Sequence, residues 1–447
     1  MMVKATAKTA LSGCVAAFCL FAEQPAEAGD ASITQEQFLK LQQQNEQLQK
    51  QMQKQQELID ALTHKVADIQ KANSQLDQEM GSVKAEIKDA EVPPQKPLHF
   101  GKVDITGEGG LAFFQSQSNG QHPNPEFRID EARLFLEAPV WKDVYFFTEL
   151  DLATRETTSL DLNVGQLYLD FEDVSQLWGR DRMLNLRVGR FDVPFGEEYL
   201  ERFAIDNPLI SHSVSDIWGQ DDGVEFYGSL GRVQWVLAVQ NGGGQTSQAL
   251  QGDKAVTGRV SYDPTKWLHL SVSGMRTGDQ KVQNETSAVW FGGGWFRPLD
   301  PSGSATTFHA NLAEGDVQVH LGPVIFKAAG GYINSGDNDP SVSNRRDVYY
   351  YYLEGIQSFT SKLYGAARFS QIFANNGFPI VGDGKMGEFF FGPTLTTDYW
   401  RLSLATGYRF SPNLLVKGEY SFNQGREVNG IFRGHENAFA LEAAFRF

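Results

Sequence analysis

The sequence predicts an all-β fold, a closed 16-stranded antiparallel transmembrane β-barrel, preceded by an α-helical coiled coil. Three observations support this prediction. Apolar and polar residues alternate from residue 100 onward, the connections between these segments alternate between short and long, and a heptad repeat occupies residues 38–87. After the N-terminus no run of 18 apolar residues occurs, which excludes a helical membrane bundle. The strands of a membrane barrel alternate and need only moderate hydropathy, in keeping with the mean hydropathy of -0.35.

The first 28 residues are typical of a signal peptide. Lys4 and Lys8 precede an apolar stretch over residues 10–22, and the Ala-Glu-Ala of residues 26–28 provides small residues before a cleavage site. A lipoprotein signal is the alternative, because the Leu-Ser-Gly-Cys of residues 11–14 fits a short lipobox. The chain's two cysteines both lie in this segment, so the exported part has neither a disulfide nor a thiolate metal site.

Residues 29–91 are predicted to form a periplasmic coiled coil. The heptad runs without a break, and 12 of its 15 a and d positions are apolar. Such a helix cannot bury its apolar stripe alone, so it implies a homo-oligomer. Asparagine at two a positions favours a two-stranded coiled coil. The positions expected to carry oligomerisation include Leu41, Asn45, Leu48, Ile59, Leu62, Val66, Ile69, Asn73 and Leu76. Three prolines in residues 92–97 end the helix and form a stiff linker.

Residues 98–447 are predicted to form the barrel. The alternating segments number sixteen, an even count, and both ends of the sheet fall at the end with the short turns, as closure requires. They are residues 100–115, 127–138, 143–153, 161–172, 183–191, 222–230, 233–241, 254–262, 266–277, 314–321, 324–334, 347–357, 361–373, 398–410, 413–424 and 434–447. An aromatic piece at 290–296 stays inside a loop, and Phe447 closes an alternating aromatic strand, as is typical of outer-membrane barrels.

Three segments of the barrel region resemble the phosphate-selective porin O and P family. Residues 186–196 (LRVGRFDVPFG) resemble its strand leading into a constriction loop, residues 352–355 with 362–370 resemble a second block, and residues 408–410 with 415–420 resemble a third. The resemblance implies a sixteen-stranded trimeric porin that passes small solutes, often anions. Where the family has a lysine-rich anion funnel, residues 97–447 contain nine lysines, a departure that weakens the expectation of phosphate selectivity.

Strand parity predicts which side chains line the channel. The positions opposite the apolar face carry both signs of charge in similar number, and these charges either pair across strands or set up a field that orients solutes. The principal pore-lining candidates are Arg133, Glu149, Asp151, Arg187, Arg259, Lys327, Arg368, Arg401 and Arg409.

The long connection after the fifth strand is the predicted constriction. Its acids outnumber its single arginine by seven to one, so it is expected to raise the local cation concentration. The alternative is that some of these acids face outward and bind divalent ions that bridge lipopolysaccharide. The predicted constriction residues are Arg190, Asp192, Glu197, Glu198, Glu201, Arg202, Asp206, Asp216, Asp221 and Asp222.

The predicted function is therefore that of an outer-membrane porin of a Gram-negative bacterium. It forms a water-filled channel for passive diffusion of small hydrophilic solutes and ions, weakly selective for cations or neutral solutes, with phosphate selectivity as the alternative. The competing function is an envelope-tethering protein or adhesin, in which the coiled coil is the active part and the barrel an anchor.

Enzymatic and nucleic-acid-binding functions have little support in the sequence. Residues 211–213 (Ser-His-Ser) are the one compact hydrolase candidate, and no cofactor or metal motif occurs. The net charge of -16 argues against nucleic acid as a partner. The expected partners are further copies of the chain, outer-membrane lipid and lipopolysaccharide, and the permeating solutes.

Overall fold

Alternating side chains organise the barrel region into long strands. The structure, a computed structural model, describes residues 98–100, 102–154, 162–242, 253–281, 303–378 and 395–447. Its sixteen long strands are β1 Val103–Ser116, β2 Glu126–Trp141, β3 Val144–Ala153, β4 Asn163–Phe171, β5 Asn185–Asp192, β6 Gln220–Leu230, β7 Val233–Gln240, β8 Ala255–Thr265, β9 Leu268–Arg276, β10 Thr307–Leu321, β11 Val324–Asp337, β12 Arg346–Ser358, β13 Leu363–Phe378, β14 Thr396–Ser411, β15 Leu414–Glu427 and β16 Ala438–Arg446.

Consecutive strands pair antiparallel, and the last strand pairs with the first. β16 lies against β1, with Ala438 opposite Ser116 and Arg446 opposite Glu108, so the sheet closes on itself. Short strands at Leu98–Phe100, Gln280–Lys281 and Phe432–Arg433 add to β1, β10 and β15. The predicted closed sixteen-stranded barrel is confirmed, and closure leaves its long strands without a free edge.

The two faces of the wall differ in polarity. Large apolar side chains are exposed on the outside, such as Val272 at 62%, Leu353 at 55% and Phe326 at 51% exposure, whereas the inward Arg368 and Lys417 are buried. In a soluble protein charged groups face water and apolar groups fill the interior. The reversed arrangement fits an outer surface in contact with lipid.

Short turns join the strands at one end of the barrel. Six of the seven connections there have two to four residues, and glycines with positive φ lie in two of them, Gly231 at 64° and Gly322 at 61°. Tight hairpin turns require such left-handed backbone, which glycine adopts without steric cost. The seventh connection, residues 172–184, contains the 3-10 helix Val174–Trp178. The connections at the opposite end are longer.

Some strands, β10 above all, extend further at the long-loop end than the sequence pattern predicts. β10 begins at Thr307, seven residues before the predicted start at 314, and in this extension Phe308 and Leu312 are buried. They join an apolar cluster with Val193, Phe195 and other residues. Polarity is inverted here, with apolar groups inward. This part of the strand therefore does not match a pattern that assumes apolar residues on the outside.

Several predictions concern residues outside the described ranges. These are the signal peptide at 1–28, the coiled coil at 29–91 with its heptad positions, the linker at 92–97 and the aromatic piece at 290–296. Among the described residues there is no helix of the length and hydropathy needed to cross a membrane.

Candidate functional site: the barrel interior

The pore-lining candidates on β2 to β6 form ion pairs across neighbouring strands. Arg133 Nε on β2 lies 3.2 Å from Asp151 Oδ1 and 3.5 Å from Glu149 Oε1 on β3. These residues are close because Arg133 is directly opposite Asp151 in the ladder. Each carboxylate offsets part of the guanidinium charge, so this section of wall has both signs of charge side by side.

Arg187 repeats the arrangement one strand pair further on. Its Nη2 donates to Asp170 Oδ2 at 2.9 Å, and its Nη1 donates to Glu225 Oε1 at 3.0 Å. The Tyr227 hydroxyl donates to the other oxygen of Asp170 at 2.8 Å. Two strands therefore contribute carboxylates to the one guanidinium between them, as strand parity allows.

The long connection between β5 and β6, residues 193–219, folds into the barrel. We call it the constriction loop. Its residues from Leu209 to Ile217 are all buried, and its 3-10 helix Glu198–Glu201 presents Tyr199 to the arginine of β8. Arg259 Nη1 donates to the Tyr199 hydroxyl at 3.1 Å and to the carbonyl oxygen of Gly196. Burial raises the pKa of Tyr199 to about 12 despite the nearby guanidinium, so its hydroxyl stays protonated at neutral pH.

Lys417 on β15 holds the backbone of the constriction loop. Its Nζ donates to the carbonyl oxygens of Ala204 at 2.7 Å, Asn207 at 3.0 Å and Leu209 at 2.6 Å. It also forms an ion pair with Glu442 on β16 at 3.0 Å, and neither side chain is exposed. An ammonium has three protons to donate, so three carbonyls and a carboxylate satisfy it fully.

Glu419, two residues further along β15, holds the adjacent part of the loop. It accepts hydrogen bonds from the backbone N–H groups of Ile210 and Ser211 and from the Ser211 hydroxyl. Val214 N–H donates to the Ser370 hydroxyl on β13 at 3.1 Å. The loop thus has buried polar partners on the wall, which compensates the loss of hydration of its backbone.

Three more pore-lining candidates bind carbonyl oxygens of the constriction loop. Arg368 Nη1 donates to Ser211 O at 3.1 Å, Arg401 Nη1 to His212 O at 3.1 Å, and Arg409 Nη2 to Ile205 O at 3.1 Å. Arg368 also pairs with Glu354. These arginines therefore anchor the loop to β13 and β14.

Most acids of the constriction loop lie beside basic wall residues. Glu198 Oε1 is 3.4 Å from Arg368 Nη1, and Glu201 pairs with Lys327, which is also 3.5 Å from Glu354. Glu197 pairs with Arg259 and Asp206 with Arg446. Asp216 instead pairs with Arg202 and His212 of the loop itself, and Asp222, on β6, pairs with Arg190. This pairing reduces the field that the loop acids, predicted to attract cations, project into the lumen.

Two acids at the ends of this region accept hydrogen bonds instead. Asp192 Oδ2 accepts one from Gln166 Nε2 at 3.1 Å, and Asp221 accepts one from the Gly242 N–H. Gln166 also donates to Glu149 Oε2 at 2.9 Å. These contacts join the mouth of the constriction loop to the β3 and β4 wall.

A cavity lies between part of the constriction loop and the wall of β2 to β6. It is lined by Arg133, Glu149, Asp192, Tyr199, Arg202, Phe203, Trp218, Gly219 and Gln220. A second cavity lies on the opposite side of the loop and includes Glu201, Lys327, Glu354 and Arg368, which are in contact with one another or with the loop. The first cavity has two positive and two negative side chains, and three aromatic ones.

The aromatic side chains of this interior were missed by reasoning from charge. Phe135, Phe147 and Tyr168 each lie two positions from a predicted or observed lumen charge, at 133, 149 and 170, so parity alone could have placed them inward. Phe203 and Trp218 of the constriction loop could not be found this way, since a loop has no fixed period.

The serine–histidine segment is not arranged as a nucleophile and base. The Ser211 hydroxyl bonds to Glu419 and Ser403, whereas His212 Nδ1 lies 2.9 Å from Asp216 and its Nε2 lies 3.2 Å from the Arg202 carbonyl oxygen. In the described part of the chain, no group of three or more His, Cys, Asp or Glu residues could hold a metal ion.

Comparisons with known proteins agree with the fold. No protein-family model matches the chain, and no curated protein sequence matches it. Solved structures do: OmpT, an outer membrane protein of Vibrio cholerae, superposes with a TM-score of 0.53 at 12% identity, covering 78% of this chain and 99% of that one. The outer membrane channel DcaP of Acinetobacter baumannii gives a TM-score of 0.53 at 13% identity, covering 79% and 100%. The chain therefore has the barrel fold of these outer-membrane proteins.

Proposed function

We propose that residues 98–447 form an outer-membrane porin, a water-filled channel for passive diffusion of small hydrophilic solutes and ions. One observation carries the proposal: the barrel is closed, apolar outside and charged inside, and its constriction loop leaves a cavity beside β2 to β6. The likeness to DcaP, an outer membrane channel, supports it.

The channel is weakly selective, with a mild preference for cations or neutral solutes. The cavity beside the constriction loop has two arginines and two carboxylates, and the loop acids are paired with wall cations. A balanced wall gives a small net field. Residues 97–447 contain 42 acidic and 29 basic residues, and this excess of negative charge favours cations.

Phosphate selectivity is the alternative, supported by the family resemblance and by the inward arginines. Bidentate contact with a guanidinium suits phosphate, but Arg133 and Arg187 already lie between carboxylates. The reversal potential in a planar bilayer under a salt gradient distinguishes weak cation preference from phosphate selectivity. A strong anion preference that low phosphate concentrations abolish would favour the alternative.

The channel function itself is tested with the purified full chain in a planar bilayer. Discrete, ohmic current steps are expected, together with swelling of liposomes in small neutral solutes. The competing function, an anchor for a tether or adhesin, has one observation in its favour: the constriction loop is bound to the wall by many buried polar contacts. Protein that inserts and remains without conductance would favour the anchor.

We also propose that the mature protein is a homotrimer in the outer membrane, with residues 29–91 as a periplasmic coiled coil after removal of residues 1–28. The heptad requires partners, and the barrel wall supplies further interface; lipopolysaccharide would contact the outer surface. A mass measurement on the detergent-solubilised protein tests the assembly. A monomer that retains residues 38–87 would contradict it.

A further inference from the structure

We propose that a row of aromatic side chains on the lumen wall is a binding surface for neutral carbohydrate. The inference rests on the proposed channel function and names the solute class. The row, which we call the aromatic row, consists of Phe203 of the constriction loop, Phe135 on β2, Phe147 on β3, Tyr168 on β4 and Tyr227 on β6.

The rings of the aromatic row follow one another at stacking distances. The centroids of Phe203 and Phe135 are 5.9 Å apart, those of Phe135 and Phe147 6.1 Å, and those of Phe147 and Tyr168 5.0 Å. The last two pairs lie within 24° of parallel. The Arg187 guanidinium continues the row, 4.3 Å from the Tyr168 ring and 5.1 Å from the Tyr227 ring. The rings therefore form a connected surface.

These rings lie on the face of the wall where charged residues are found. Phe135 is two residues from Arg133, and Tyr168 two residues from Asp170, so parity points both inward. All five rings remain partly exposed. The stacked pairs cover part of each other's ring faces, and the aromatic surface that stays in contact with water is unfavourable. A solute with an apolar face recovers that free energy by covering this remaining surface.

Gly189 on β5 keeps the Tyr168 end of the row accessible. It is opposite Tyr168 in the ladder with a φ of 140°. A Cβ at this position would lie 2.9 Å from the Tyr168 Cβ and 2.3 Å from the Leu167 carbonyl oxygen, closer than atoms can approach. A residue other than glycine would thus displace this strand pair, and the glycine leaves no side chain beside the ring.

Hydrogen-bonding groups flank the aromatic row and decide which solute fits it. Beside the row, Arg187 lies between Asp170 and Glu225, and Arg133 between Glu149 and Asp151. Four carboxylates against two guanidiniums disfavour an anion. A hydroxyl both donates and accepts, so neighbouring hydroxyls can bond a carboxylate and a guanidinium together. A neutral sugar meets both requirements, whereas a purely aromatic solute would leave these charged groups without a solute partner.

The aromatic row crosses neighbouring strands near the short-turn end of the barrel. Phe147 is opposite Tyr168 in the ladder, and each lies three residues from the short-turn end of its strand, as Tyr227 does on β6. Phe203, at the other end of the row, is beside the cavity that Tyr199 and Trp218 also line. A solute that moves from this cavity towards the short-turn end therefore passes the aromatic row.

The test uses the purified full chain in a planar bilayer with maltohexaose as the probe. We expect a saturable, concentration-dependent interruption of the ion current. Phe147→Ala and Tyr168→Ala should each weaken the association constant roughly two- to tenfold, the range for loss of one aromatic contact, and Tyr168→Phe should retain binding. Phe326→Ala, at a lipid-facing position with 51% exposure, is the matched control and should bind maltohexaose as the unmodified protein does.

The outcomes separate this inference from the proposed function. Absence of any ion current would overturn the channel function and the inference together. A steady current that maltohexaose does not interrupt would overturn the carbohydrate-binding surface alone, as would equal interruption by a polyethylene glycol of the same size. Interruption by phenol but not by maltohexaose would assign the row to aromatic solutes instead. Should an alanine variant fail to assemble, Phe147→Leu provides the same test with less loss of volume.

Discussion

The two halves of the barrel interior use the same kind of residue in different ways. On β13 to β16, buried charged groups bind the constriction loop, as Lys417, Glu419 and Arg368 do. On β2 to β6, Arg133 and Arg187 bind carboxylates of neighbouring strands, and Arg133 lines the cavity. We call the side of the interior around β13 to β16 and the adjoining β1 the loop-bound half, and the side around β2 to β6 the open half. Strand parity gives both halves inward charges, and the loop determines which of them are accessible to solutes.

The difference has an energetic basis. A buried charge loses its hydration, and this cost is large unless hydrogen bonds replace the lost water. In the loop-bound half the backbone carbonyl and N–H groups of residues 204–214 provide these bonds, so charge and loop stabilise each other. In the open half the charges keep partial contact with the lumen, as Arg187 does with its side chain 23% exposed. Substitutions should therefore affect stability in the first half and permeation in the second.

The largest effect is expected for Lys417→Met. The substitution removes three hydrogen bonds to the constriction loop and leaves Glu442 buried beside an apolar side chain. Removal of one partner of a buried ion pair costs about 3–5 kcal/mol. We expect a lower guanidinium midpoint of unfolding, followed by tryptophan fluorescence in detergent, and a larger and noisier conductance as the loop detaches.

A double variant provides the control for this prediction. Lys417→Met with Glu442→Gln also removes the buried carboxylate charge that faced Lys417. It should recover part of the lost stability without restoring the loop, so the conductance change should persist. Unchanged stability and conductance in Lys417→Met would mean that the loop is held elsewhere.

Glu419→Gln should give the second largest effect. A neutral amide accepts the N–H groups of Ile210 and Ser211 less strongly than a carboxylate does. Hydrogen bonds to charged groups contribute about 1.5–3 kcal/mol each, and only part is lost here. The measurement is open-channel current noise, which should increase as residues 209–211 fluctuate more.

The matched control for Glu419→Gln is Glu225→Gln in the open half. Glu225 bonds to Arg187 rather than to the constriction loop, so its substitution should leave the noise unchanged. Equal noise in the two variants would contradict the division of the interior into two halves.

A pH effect on the loop-bound half should be smaller. His122, in the loop after β1, stacks on Phe114 at 4.9 Å between ring centroids, and Phe114 packs in a cluster with Ile210 of the constriction loop. Burial lowers the pKa of His122 below its usual value of 6.5, outweighing the opposing effect of Glu126 and Asp130, while Arg128 also lowers it. The folded protein therefore holds this imidazole neutral.

The sign of the pH effect follows from proton binding. Just below pH 6.5 the unfolded chain binds the His122 proton and the folded protein does not, so stability decreases as the pH falls. One proton limits the slope to about 1.4 kcal/mol per pH unit. The unfolding midpoint of the unmodified protein should fall more between pH 7 and pH 5 than that of His122→Gln. Parallel curves for the two proteins would refute the assignment.

The sequence predicts the barrel far better than its interior. Sixteen strands could be located because the lipid-facing side chains repeat every second residue and the short turns mark one end. Parity also placed Arg133, Arg187 and Arg368 on the inward face. It could not say that Arg368 lies under a loop and Arg133 beside a cavity, because this depends on how residues 193–219 fold.

The acids of the constriction loop illustrate the same limit. Their number suggested an acidic constriction, because a count of charges along the loop leaves out the basic wall residues that pair with them. Their partners, such as Lys327 for Glu201 and Arg446 for Asp206, are more than a hundred residues away in the sequence. The inversion of polarity at Phe308 and Leu312 was missed for a related reason: these residues pack on an apolar cluster with Val193 and Phe195, which local alternation cannot reveal.

The smallest expected effect is on selectivity, with Arg133→Gln in the open half. Arg133 lines the cavity, near Glu149 and Asp151, so its loss leaves two carboxylates less compensated beside the proposed ion path. One charge about 8 Å away in water contributes roughly 0.5 kcal/mol, a factor of about two. The permeability ratio of potassium to chloride, obtained from the reversal potential under a salt gradient, should therefore rise about twofold, and less at high salt because of screening.

The control for this prediction is Arg401→Gln, which removes the same charge from the loop-bound half. There Arg401 donates to Asn423 at 2.8 Å and to His212 O at 3.1 Å. It should lower stability and leave the ratio nearly unchanged. Should Arg401→Gln shift the ratio as much as Arg133→Gln, ions would pass through both halves, and the cavity beside β2 to β6 would not be the permeation path.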